Sequence, residues 1–174
     1  TEAILATAED EGINTMIVDF SFLRNNRKLL SLSTCDIIGV IPGKDFEKDM
    51  SNLIVSYDQG RHSNLGLEIA HAISKNNKSK IRVVRGLTQS PEVESEIESK
   101  INEFMFDQDL YKDFKFDPVY PKTHNMLVSS ELLQNFNKIK HGILILGAGN
   151  QADTAFSPKA LELADKSKKT VFII

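Results

Sequence analysis

Apolar positions along this chain follow two rhythms. Short, nearly continuous runs occur at "NTMIVDF" (14–20), "CDIIGVI" (35–41), 53–57, "KIRVVRG" (80–86), "GILIL" (142–146) and 170–174. Such runs predict strands covered on both faces. "FKFDPVY" (114–120) is a weaker strand candidate, because Pro118 suits a sheet edge. Between the runs the spacing becomes helical. Ile4, Leu5 and Ala8 share one side of a helix over 1–12, with Gly12 as its stop. A short helix is expected over 26–33. Leu65, Ile69, Ala72 and Ile73 give one buried face to a helix over 63–75. Ser90-Pro91-Glu92 opens another, with Val93, Ile97, Ile101, Phe104 and Met105 along it. Helix 126–137 and a helix opened by Ser157-Pro158 complete the series.

Strands separated by helices imply parallel βαβ units with helices on both faces of one sheet. The order helix, strand, loop, short helix, strand at 1–41 returns at 126–174. The expected architecture is an α/β fold with an open parallel five-stranded sheet, plus an N-terminal half-repeat. Residues 1–43 form the C-terminal half of a first repeat, 44–51 a polar linker, and 52–174 a complete second domain. The last strand should lie at a sheet edge. Its apolar "TVFII" would be hidden by pairing between copies or with "CDIIGVI".

Composition narrows the function. With 174 residues and 41% hydrophobic content the chain affords a sizeable core. A net charge of -3 argues against a nucleic-acid binder. Cys35 is the sole cysteine, so a disulfide framework is impossible. It starts a buried strand and is expected to be structural. No apolar run approaches the roughly 20 residues that span a bilayer. Thr1 enters directly into a helical pattern and "TVFII" stops within a strand, so both ends read as cut from something larger.

Candidate chemistry is sparse. His62, His71, His124 and His141 show no metal spacing. Glu92, Glu94, Glu96 and Glu98 read as a solvated helix face. "LILGAGNQA" fits the G-x-G-x-x-[GA] dinucleotide fingerprint. However, residues 153–156 separate it from the next helix, and the acid expected about 20 residues later falls near Ile174. No nucleophile elbow or phosphate-binding P-loop is present.

The stretches "NLIVSYDQGRHSNLGLEIA" (52–70), "KIRVVRG", "GILILGAG" and "FSPKALELADKSKKTVFII" (156–174) resemble the universal stress protein domain, and "CDIIGVIPG" resembles the last strand of a preceding copy. The resemblance implies a nucleotide site. Asp58 matches the acid that contacts adenosine in ATP-binding members. Val83 or Val84 would offer backbone groups to adenine, and Arg61 and His62 could reach a phosphate. The alternative is that Asp58 and Gly60 only make the turn, with Ser63 capping the helix.

ATP-binding members carry G-x2-G-x9-G-[ST] after the fourth strand. Here Gly147 and Gly149 are one residue apart, seven residues separate Gly149 from Ser157, and Phe156 replaces the last glycine. Ser157 and its helix start remain as an anion site. The candidate ligands are ATP, AMP or another adenine nucleotide, none of them required.

Tandem copies of this kind also occur as cytosolic tails of amino-acid permeases and cation-chloride cotransporters. The resemblance therefore implies a non-enzymatic regulatory domain on the cytoplasmic side of the cell membrane. Its partners would be the membrane-embedded part of the same polypeptide and a second copy in a homodimer. The alternatives are a nucleotide-binding stress protein with weak ATPase activity and a purely structural dimerisation domain.

Overall fold

The computed structural model describes residues 1–57, 61–84, 91–107, 114–116, 134, 136–147, 156 and 158–174. In chain order the elements are α1 (Glu2–Asp10), β1 (Thr15–Asp19), α2 (Phe20–Asn25), α3 (Lys28–Leu32), β2 (Asp36–Ile41), α4 (Phe46–Asp49) and β3 (Asn52–Ser56). They continue with α5 (Arg61–Asn77), β4 (Lys80–Val84), α6 (Pro91–Asp107), β5 (Phe114–Phe116), β6 (Ile143–Leu146), α7 (Pro158–Lys166) and β7 (Val171–Ile173). Helical backbone also occurs at 134 and 136–138.

The strands form one open sheet in the order β1-β2-β7-β6-β3-β4-β5. Five strands from β7 to β5 are mutually parallel, as the apolar runs predict. The sheet then continues through β2 and β1, a parallel pair. β2 joins β7 in antiparallel register, Gly39 opposite Ile173, Val40 opposite Phe172 and Ile41 opposite Val171. The apolar edge of "TVFII" is therefore covered within the chain, by "CDIIGVI". β5 lies at one end of the sheet and β1 at the other.

Alternation along the strands divides the core into two layers. One face gathers Leu53, Val55, Ile81, Val83, Ile143, Ile145 and Phe172 beneath Leu67 and Ala70 of α5 and Ile101 of α6. The opposite face gathers Ile54, Val84, Leu144, Leu146, Val171 and Ile173 beneath Phe20, Leu23, Leu29, Phe136 and Ala164. The helices therefore cover both faces, as a parallel sheet requires.

Three local features differ from the sequence reading. Phe20, expected to end the first strand, and residues 21–25, expected to be loop, form α2. Asp19 accepts hydrogen bonds from Ser21 N (2.8 Å) and Phe22 N (3.1 Å), and this cap starts the helix directly off β1. Helix α5 begins at Arg61, so Ser63 is a buried residue inside it and does not cap it. The polar stretch before β3 contains the single turn α4, whose Asp49 is 3% exposed. Asp49 Oδ2 accepts from Thr170 N (3.2 Å) and Thr170 Oγ1 (2.9 Å), and Oδ1 accepts from Gly142 N (3.2 Å). One carboxylate thus ties the approach to β3 to the starts of β6 and β7.

Other boundaries agree closely. Gly12 takes φ +63° just past α1, where a glycine stop was expected. Cys35 is half-buried, its Sγ 3.1 Å from Ser33 Oγ.

Candidate functional site

The strand order fixes where a ligand crevice belongs. From β3 the chain crosses through α5 to β4 on one side, and β6 pairs with β3 on the other. The carboxyl ends of β3 and β6 therefore flank a topological switch point, the usual crevice of open α/β sheets. Gly147 follows β6 at this point. A Cβ on it would stand 3.2 Å from His62 Cβ and 3.8 Å from Ser63 N, so the strand end runs directly against the first turn of α5. Glycine permits that approach. The 17-residue helix α5 directs its N-terminal N–H groups and positive dipole end to the same place.

Val83 and Val84 end β4, and their side chains enter opposite core layers. Val84 O accepts from Tyr57 N at 3.0 Å, so this carbonyl already serves the sheet ladder. Val84 and Gly147 end strands on either side of β3, and two strand spacings put them roughly 10 Å apart. That span suits a small planar ligand laid across the tip of β3. Asp58, Gly149 and Ser157 lie outside the described residues, as does Gly60 of the first turn.

Two further residues shape this end of the sheet. Tyr57 is buried, and its hydroxyl donates to Asn64 Oδ1 at 3.0 Å, bracing the strand tip against α5. A tyrosine between an apolar run and a helix start was the available signal. Arg61 faces Asp36 at the start of β2, with Nη2 3.8 Å from Oδ1. This exposed pair draws the side chain toward the N-terminal strands.

Phe156 stands where the phosphate loop of ATP-binding members has its last glycine. It is 7% exposed and belongs to the core layer of Phe20 and Leu23. Its ring meets that of Phe20 edge-on, with centroids 4.9 Å apart and planes at 65°. The position is thus occupied by a core anchor between the last α/β unit and α2.

Among the described residues no cluster of three or more His, Cys, Asp or Glu could hold a metal ion. No described helix is long and apolar enough to cross a membrane. His141 Nδ1 approaches the buried Asp49 carboxylate at 3.8 Å, at the opposite end of the sheet from the crevice.

No family model and no curated protein sequence matches the chain. Solved structures do match it in fold. A universal stress protein from Archaeoglobus fulgidus DSM 4304 superposes with a TM-score of 0.63 at 12% identity, over 80% of this chain and 51% of that one. The present chain thus corresponds to about half the length of that neighbour. A universal stress protein of Pseudomonas aeruginosa UCBPP-PA14 superposes with a TM-score of 0.60 at 13% identity, over 98% of this chain and 66% of that one. A universal stress protein solved in complex with cAMP gives 0.56 at 17% identity, over 71% of this chain and 95% of that one. Identities this low speak for architecture alone. The chain has the fold of the universal stress proteins.

Proposed function

We propose that the chain is a non-enzymatic regulatory and interaction domain of universal stress type, carried on the cytoplasmic side of a membrane transporter. The burial of Phe156 carries this reading. A phosphate cradle needs backbone N–H groups that can close on oxygen atoms, and glycine allows that approach. Here the corresponding position is committed to an aromatic contact with Phe20. The same contact couples the approach to α7 to α2, so a ligand or partner that shifts one would bias the other. Attachment to a transporter of the amino-acid permease or cation-chloride cotransporter type rests on the sequence resemblance. A homodimer belongs to the same proposal. It would need a surface other than the free edge of β7, which β2 occupies.

A second reading has its own support. The strand end at Gly147 runs against the first turn of α5, where helix N–H groups suit an anion, and a neighbour of this fold was solved in complex with cAMP. An adenine nucleotide with few phosphates would fit the span between Val84 and Gly147. When bound, it would supply binding energy and no chemistry. Val83 and Val84 would border its base, and the α5 N-terminus would face its phosphate.

Mass spectrometry of small molecules released by heating the purified protein separates the two readings. The first expects no stoichiometric nucleotide and no robust ATP turnover. Turnover that is lost in Asp58→Ala would overturn it.

A further inference from the structure

We propose that the end of the sheet where β3, β4, β6 and β7 begin is a docking surface for an anionic membrane. These strands are mutually parallel, so the segments that enter them gather at one end. Each entry brings a pair of exposed lysines. Lys44 and Lys48 precede β3, while Lys78 and Lys80 lead into β4. Lys138 and Lys140 precede β6, and Lys166 and Lys168 precede β7. Because β2 runs antiparallel to β7, it delivers residues 42–51 to this same end. The exposed acids there include Asp19, Asp45, Glu47, Glu103, Glu162 and Asp165, which the eight lysines outnumber. Three of these acids are already paired, Asp45 with Lys48 (3.7 Å), Glu162 with Lys166, and Asp165 with Arg24 (3.9 Å).

The excess is local, because the chain as a whole carries -3. Its counterweight lies at the opposite end. Glu9, Asp10 and Glu11 finish α1 just before β1 begins, and exposed Glu92 and Glu96 lie in the first half of α6. Charge is therefore graded along the strand axis, and a negative surface would attract the lysine end and turn the molecule to present it.

Two observations favour a bilayer over a nucleic acid. The cations paired at the strand entries are lysines, which act as hydrated point charges suited to a diffuse surface potential. Arginines would suit bidentate phosphate recognition. Phe46, 38% exposed, lies between Lys44 and Lys48 on α4. An exposed apolar side chain among lysines can enter the headgroup region while the ammonium groups remain in water. The ligand crevice, at the carboxyl ends of the same strands, would then face away from the membrane.

Flotation of the purified chain with phosphatidylcholine vesicles, with and without phosphatidylserine, at low and high salt, tests the proposal. Binding is expected only to the anionic vesicles and should disappear at high salt. Each lysine near such a surface contributes about a fivefold factor in affinity, so Lys44→Glu with Lys48→Glu should weaken binding at least about 25-fold. Phe46→Ser should weaken it severalfold on the same vesicles while the melting temperature stays unchanged. Equal binding to uncharged vesicles, or no vesicle binding at all, would overturn the proposal. So would binding that survives both sets of substitutions. Salt-sensitive capture of single-stranded RNA without vesicle binding would reassign the face to nucleic acid.

Discussion

Phe156→Ala offers the sharpest test of how the crevice loop is anchored. The wild-type side chain is 7% exposed and meets Phe20, itself 4% exposed, in an edge-on pair. Removing a buried phenyl ring forfeits its transfer free energy and leaves a cavity, which together cost about 3–5 kcal/mol. The aromatic pair itself should account for about 0.5–1.5 kcal/mol of that. Phe20 has little room to follow, because it is lodged against Gly39, where a Cβ would stand 2.8 Å from Phe20 Cδ2. Domains of this size have about 5–15 kcal/mol in total, so Phe156→Ala would remove a large share. Phe156→Leu, which keeps most of the volume, should cost less and remain folded. Urea unfolding of wild type, Phe156→Leu, Phe20→Leu and the double variant, followed by circular dichroism, gives both the losses and the coupling. If Phe156→Ala lowered stability by less than about 1 kcal/mol, or the coupling fell within the error of additive changes, Phe156 would not be a core anchor. The loop would then be free to close on phosphate.

Three further outcomes are expected. Asp49→Ala would take the acceptor from Gly142 N, Thr170 N and the Thr170 hydroxyl hydrogen, and should cost about 3–5 kcal/mol in urea unfolding, with Asp49→Asn costing less. Burial holds the Lys169 ammonium below its ordinary pKa of 10.5, partly opposed by Asp49. The unfolded chain therefore binds more protons between the lowered value and 10.5, and stability contributed by this group rises with pH through that window. Thermal melts at alkaline pH should show a rise that Lys169→Met flattens. Gly147→Ala puts a methyl group 3.2 Å from His62 Cβ, and should weaken any AMP binding seen by calorimetry while lowering stability only slightly.

Much of the architecture was legible in the sequence because buried parallel strands leave little ambiguity. "GILIL" and residues 53–57 are apolar at almost every position, and they lie side by side as β6 and β3. The long helices were equally plain from their spacing. What escaped notice depended on distant partners. Asp49 sits in a polar stretch that reads as linker, and its burial is set by Thr170, 121 positions away. Helix α2 has too few apolar positions for a clear period, and its start is set by the Asp19 cap. For Phe156 the sequence indicated only a mismatch with the phosphate loop. Its role depends on Phe20, far off in the chain, and no periodicity could reveal that pairing. Of the expected site, Val83, Val84 and Gly147 can be followed to the strand tips, while Asp58, Gly149 and Ser157 fall outside the described residues.

The position of β7 in the sheet bears on how the molecule is made. It lies between β2 and β6 although it is the last strand in chain order. On the ribosome, β1 and β2 emerge long before the strand that joins them to the rest. Gly43 and Thr170, which meet beside that joint, are 127 positions apart. At ordinary elongation rates the interval is roughly 6–25 s. Throughout it β2 would expose an open apolar edge, joined near the end by β6, the state in which nascent chains pair wrongly or recruit chaperones. Cooperative closure of the whole sheet must wait for three residues, Val171, Phe172 and Ile173.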